Sequence, residues 1–302
     1  MRKLFLLSLF IGLFGTIRAQ QDPQASMYFF NPLQFNAAYA GSRDALTVTA
    51  VSRAQWLGWD GAPKTQFLSV HAPVLKKKIA LGANLNYDKV GARSGLDAMF
   101  HFAYRMQLNK RNLTLSFGAS AGLQQFQYNF SGLNVTDLND LNFQQSNSIT
   151  NSNFGLGVYL YNRKFYAGAS IPRLLNRSFE SNTGNAFYQR HLNVVAGYVY
   201  EYNSVVALKP SLLFKYTANS PASLDINLSA QFFHQFWIGA LYRVHDAVGF
   251  NASYIFKDFC TIGYAYDFPI NGKIYNQWGS HEVVLSLDIV SRKNAYLSPR
   301  YF

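Results

Sequence analysis

Residues 96–124 constrain this chain more than any other stretch. Leu96, Ala98, Phe100, Phe102, Tyr104, Met106 and Leu108 recur at every second position, with Asp97, His101, Arg105 and Gln107 on the opposite row. After Asn109-Lys110-Arg111-Asn112 a second apolar row follows, made of Leu113, Leu115, Phe117, Ala119, Ala121 and Leu123. Thr114, Ser116, Gly118, Ser120, Gly122 and Gln124 oppose it. A period of two on both sides of a short polar turn is the signature of a β-hairpin. Each arm has the length of about 9–11 residues that a tilted strand needs to cross a bilayer. One apolar face and one polar or small face suit lipid outside and a wet lumen inside.

The same unit recurs along the chain. Alternation predicts fourteen antiparallel strands at 45–53, 64–72, 79–88, 95–108, 113–124, 153–161, 164–171, 191–200, 205–216, 224–233, 236–243, 247–256, 259–267 and 281–289. The stretch 205–216 is among the weakest, because Pro210 lacks the N–H that a central strand donates. Connections alternate between short and mostly long, as between the periplasmic turns and surface loops of outer-membrane barrels. An even strand count then predicts both termini in the periplasm. Many strands end in tyrosine, as interfacial girdles do: Tyr87, Tyr104, Tyr198, Tyr200, Tyr254 and Tyr266.

Composition supports this class. Charged residues make up 14% of the 302 and aromatics 17%, against about 25% charged in ordinary soluble domains. No apolar run after residue 17 reaches the length of about 18 that a membrane helix needs. The expected fold is therefore an all-β transmembrane outer-membrane barrel of about fourteen strands. The net charge of +12 is spread over short turns rather than gathered on one helix. That favours lipid head groups or an acidic partner over nucleic acid.

Arg2, Lys3 and the apolar run 4–17, with Ala19 as cleavage residue, read as a signal peptide over 1–19. Residues 20–44, with Pro23, Pro32 and Tyr28-Phe29-Phe30, do not alternate and read as a periplasmic or lumenal lead-in. The barrel is expected over 45–290 and a periplasmic tail over 291–302.

The chemistry of catalysis is sparse. Gly118-Ala119-Ser120-Ala121-Gly122 matches the nucleophile-elbow pattern, but it lies inside an alternating strand rather than at a strand-turn-helix junction. The six histidines lack metal-ligand spacing. Asp97, His101 and Arg105 share a face, which suits a lumenal hydrogen-bond network. Asp137-Leu138-Asn139-Asp140 is rich in oxygen but lacks the glycine and terminal glutamate of a calcium loop. The lone Cys260 permits no intrachain disulfide. No catalytic residue, metal or cofactor is expected.

Longer motifs resemble a known family. They are Gln21-Asp22-Pro23-Gln24, Phe30-Asn31-Pro32-Leu33 and Asn36-Ala37-Ala38-Tyr39-Ala40-Gly41-Ser42. Arg53, Gln55-Trp56, Gly58, Asp60-Gly61-Ala62-Pro63, Thr65-Gln66, Ser69, His71 and Pro73 continue them, followed by Ser170-Ile171-Pro172, Gly279-Ser280-His281-Glu282 and Ser298-Pro299-Arg300-Tyr301-Phe302. Together these resemble the PorP/SprF family of Bacteroidota, outer-membrane components of the type IX secretion system; Ala37 departs from the family's usual proline. The resemblance implies a non-enzymatic role in export or surface attachment of proteins with a C-terminal sorting domain, including gliding adhesins. It implies periplasmic and outer-membrane secretion components as partners, besides outer-membrane lipid. Partner-binding residues are expected in the first long loop (Trp56, Trp59, Asp60), at the start of the last strand (His281, Glu282) and in the tail (Arg300, Tyr301, Phe302). The alternative is a pore or transporter for a small solute or lipid.

Overall fold

The structure, a computed structural model, describes residues 24–108, 113–130, 147–178, 187–218, 220–270 and 278–290. The fourteen expected strands are present. In chain order they are β1 Leu46–Ala54, β2 Lys64–Val74, β3 Ile79–Val90, β4 Arg93–Gln107, β5 Thr114–Tyr128, β6 Asn147–Tyr161 and β7 Phe165–Ile171. β8 is His191–Tyr198, continued by Tyr200–Glu201. Then come β9 Val206–Thr217, β10 Ser223–Phe232, β11 Phe236–Arg243, β12 Ala247–Phe256, β13 Cys260–Pro269 and β14 Ser280–Ile289. Each strand pairs antiparallel with its sequence neighbours. β1 pairs with β14 from Leu46↔Ile289 to Ala54↔His281, which closes the barrel. Closure satisfies every strand edge, the condition for β-structure in hydrocarbon.

The pleat sorts the side chains. On β4, Phe100 is 72% exposed and its neighbour His101 6%. Leu81, Leu123, Leu228, Ile238, Phe250 and Ile262 project outward around the wall in the same way. So broad an apolar band is stable against lipid and not against water. Among the described residues no helix is long and apolar enough to cross a membrane; the strands do so.

Three features differ from the sequence expectation. The wall is uneven, because β4, β5 and β6 are each fifteen residues long whereas β7 has seven. β3 and β4 run on to Val90↔Arg93 and meet in the two-residue turn Gly91-Ala92, where Gly91 takes φ +57°. Polar residues such as Lys89 and Ser94 hid this extension, since they lie above the apolar band. Second, the strand expected at 205–216 is present at Val206–Thr217, and what differs is that the effect of Pro210 falls on its neighbour. The β8–β9 register stops at Gly197↔Ser211 and resumes at Tyr200↔Leu208. The gap lies opposite Pro210, which has no N–H to bridge it. Third, the connection after β7 contains its own small pairing of Arg177–Ser178 with Phe187–Tyr188. The 109–112 turn, the Asp137–Asp140 segment and the 291–302 tail lie outside the described residues.

Candidate functional site: a plugged lumen and its vestibule

The lumen is filled by the lead-in. Met27, Tyr28, Phe29, Leu33, Ala38, Tyr39 and Ala40 are buried there against Val51, Phe67, Ala103, Tyr159, Tyr166, Leu213 and Val284 of the wall. The segment forms three 3-10 turns, Tyr28–Phe30, Pro32–Gln34 and Ala37–Tyr39. Prolines and a run of small residues keep it from adding to the sheet, so its backbone polar groups must find side-chain partners. Asn84 donates to Leu33 O at 3.0 Å and Ser170 to Phe35 O at 2.7 Å. Gly41 N donates to His71 Nδ1 at 3.1 Å. Asn36 Nδ2 donates to Val158 O at 3.1 Å while its Oδ1 accepts from Ala38 N.

Room for the lead-in is made by glycine. A Cβ on Gly118 of β5 would fall 2.1 Å from Ala38 N, and one on Gly157 of β6 would fall 2.1 Å from Asn36 Oδ1. The small face noted in the sequence is thus the bed of the plug.

At the long-loop end the lead-in meets the barrel seam. Glu282 of β14 accepts from two successive backbone N–H groups, Ser26 N and Met27 N, at 2.8 Å each. Arg53, its cross-strand partner on β1, donates to Glu282 at 3.1 Å, to Asp267 at 2.8 Å and to Ser26 Oγ at 2.7 Å. The Ser26 hydroxyl also donates to Asp267. Asp267 lies 3.7 Å from Arg243, which is bonded to Asp225 at 3.0 Å; Lys215 reaches Asp225 at 3.2 Å. Three cations and three carboxylates thus alternate around the wall, each flanked by opposite charge. Buried charges persist only when paired and hydrogen-bonded in this way. The Lys209 ammonium lies 4.5 Å from the ring centres of both Phe29 and Trp237, a cation–π arrangement.

At the short-turn end one ion pair is buried and another is open to solvent. Arg43 pairs with Asp288 at 3.1 Å, and Asp44 with Arg105 at 2.7 Å and Lys77 at 3.2 Å. Arg105 also donates to the Tyr161 hydroxyl at 2.9 Å.

Above the plug, at the long-loop end of the barrel, lies a vestibule of about 100 Å³. Gln24, Ala25, Tyr28 and Phe35 of the lead-in line it together with wall residues that include Arg93, Asp97, Gln124, Arg173 and Lys215. Asp97 is bonded to Arg173.

The structure distributes the sequence-predicted partner residues. Trp56 is half-buried and Trp59 and Asp60 are exposed, in a loop tied to the rim by Leu57 N to Gly279 O at 2.8 Å and Trp278 N to Leu57 O at 2.7 Å. His281 faces outward beside Tyr264, 2.6 Å from its hydroxyl. Glu282 faces inward and is fully buried. Arg300, Tyr301 and Phe302 lie outside the described residues. His101 and Ser120 prove to be cross-strand partners on the lumen face. No hydrogen bond joins them among the described residues, and the Asp97 carboxylate on their face is held by Arg173, so no relay is assembled.

Sequence reasoning missed Ser26, Arg53 and Asp267 as one unit. Their only signal was a charged residue at lumen parity in two separate strands and a polar residue in the lead-in.

The description "Type IX secretion system membrane protein PorP/SprF" belongs to the sequence family whose model matches residues 17–287. Curated proteins give no match. Among solved structures, an outer membrane protein of Acinetobacter baumannii is similar at 8% identity and TM-score 0.47, over 82% of this chain and 98% of that one. A deletion mutant of the TodX monoaromatic hydrocarbon channel gives 12% and 0.49 over 89% and 95%, and the KdgM porin 9% and 0.41 over 81% and 99%. With the family motifs spread over both lead-in and barrel, the chain belongs to the PorP/SprF family of type IX secretion system membrane proteins and is an outer-membrane β-barrel.

Proposed function

We propose that the protein is a non-enzymatic adaptor of type IX secretion that works at the two ends of its barrel rather than through it. It assists export or surface attachment of proteins with a C-terminal sorting domain, gliding adhesins among them. The observation that carries this reading is the filled lumen. A transported chain or solute would have to displace Leu33, Ala38 and Tyr39, each at most 1% exposed, and break the buried charges around Ser26. In this reading the long loops face the cell surface and the short turns the periplasm. Trp59 and Asp60, exposed on a loop that the rim holds still, suit contact with the exported protein. The 291–302 tail is assigned to periplasmic secretion components.

Deletion of the gene is expected to abolish surface display of a C-terminally signalled substrate while leaving the outer membrane intact; undiminished display would refute the reading. The rival, a pore for a small solute or lipid, is separated by planar-bilayer recording of the purified protein. Silence is expected of a plugged adaptor, and large stable openings would favour the pore.

A further inference from the structure

Strand parity places the start of β1 and the end of β14 at the same, short-turn end. The lead-in does not stay there. From Asp44 it climbs the lumen past Tyr39, which stacks edge-on against Tyr159 and His71, and past Leu33 beside Asn84. It reaches Ser26 and Met27, whose partners Arg53, Asp267 and Glu282 all sit at the long-loop ends of their strands. Gln24 and Ala25 then line the long-loop vestibule.

We infer that the lead-in is a fifteenth pass across the membrane plane, so that Gln24 and Ala25 lie at the long-loop mouth, opposite the end of β14. The parity rule, which puts both termini in the periplasm, counts strands only and misses this pass. The pass is built into the wall. Glycines at 118 and 157 admit its backbone, and Glu282 spends both carboxylate oxygens on two of its consecutive N–H groups. Those N–H groups complete the coordination of an Arg53–Glu282 pair that lies on the seam between the first and last strands. The lead-in and the seam therefore share one set of buried charges, and the lead-in supplies two of the donors that Glu282 uses once water is excluded. Gln24 and Ala25 are thereby presented on the same face as the long loops. On the adaptor reading above, which this inference extends, that face is the cell surface.

Single cysteines test the pass. With Cys260→Ser as background, Ala25→Cys is compared with Asp60→Cys in the long loop and Asp258→Cys in a short turn, all three probed with a maleimide on a long polyethylene glycol chain, which is too bulky for the porins that admit small hydrophilic reagents. In detergent all three should react. In intact cells Ala25→Cys and Asp60→Cys should react and Asp258→Cys should react only after permeabilisation. Ala25→Cys grouping with Asp258→Cys, or staying inert in detergent, overturns the fifteenth pass. Asp60→Cys protected in cells while Asp258→Cys reacts overturns the adaptor's orientation instead, and the pass is still decided by which of the two Ala25→Cys follows.

Discussion

At its long-loop end the lead-in is gripped only by side chains that water does not reach; at its short-turn end the buried Arg43–Asp288 pair is accompanied by an Asp44–Lys77 pair that water does reach. Arg53, Asp267 and Glu282 have side chains at most 2% exposed, whereas Asp44 is 35% and Lys77 41% exposed. Chain connectivity accounts for the contrast. Asp44 is two residues from the start of β1, so the strand already holds it in place and its ion pairs add little. Ser26 is some twenty residues further away along irregular backbone, and ordering that much chain is opposed by about 1–2 kcal/mol per residue. The remote end therefore needs strong, desolvated contacts, and it has them where the barrel seam also needs closing.

Breaking the strong end should have the largest effect. Arg53→Met removes the cation between two buried carboxylates and leaves Asp267 and Glu282 facing each other. Truncating one partner of a buried ion pair destabilises by about 3–5 kcal/mol. The folded barrel, followed by its heat-modifiable gel mobility, should unfold at a clearly lower temperature. An unchanged transition would mean that the network is solvated and the contrast between the ends false.

The middle of the pass comes next. Gly118→Val puts carbon where Ala38 N stands, and backbone cannot yield as a flexible side chain can. Overpacking of this kind costs about 1–3 kcal/mol, less than the interactions that close the barrel. The strands should therefore survive while the lead-in is displaced, and single-channel recordings should change from silence to openings. Silence in a folded Gly118→Val protein would show that the lead-in tolerates the shift.

Ser26→Ala sharpens the comparison by removing a hydroxyl shared between Arg53 and Asp267 while sparing the backbone N–H bonds to Glu282. Loss of a hydrogen bond to a charged group is worth about 1.5–3 kcal/mol. The same melting assay should place this variant between Arg53→Met and wild type. A transition at or below that of Arg53→Met would mean that the hydroxyl, not the guanidinium, organises the node.

These effects were not legible in the sequence, although the barrel was. A strand is written in its own neighbours, so Leu224, Ile226 and Leu228 reveal β10 without reference to any other segment. The node joins Ser26 to residues 241 and 256 positions away, and parity states only that each faces inward. Alternation also carried a consequence that the motif Gly279-Ser280-His281-Glu282 hides when read as one unit. Adjacent strand residues point to opposite faces, so His281 is on the rim beside Tyr264 and Glu282 faces the plug. In the lead-in, Pro23 and Pro32 marked departure from a strand. Its direction of travel depends on which wall residues hold its far end, and those come from β1, β13 and β14.

The smallest change is expected at the weak end. Lys77→Ala removes one of two cations on Asp44, at a site open to solvent, while Arg105 at 2.7 Å still holds the carboxylate. Exposed pairs contribute about 0–1 kcal/mol and are screened by salt. The melting transition of Lys77→Ala should lie close to wild type, and the difference should vanish in molar salt. The Arg53→Met deficit should persist there, because ions in solution do not enter the plugged seam. If salt rescued Arg53→Met as readily as Lys77→Ala, the long-loop end would be as wet as the short-turn end. The two anchors would then differ in number of contacts rather than in kind.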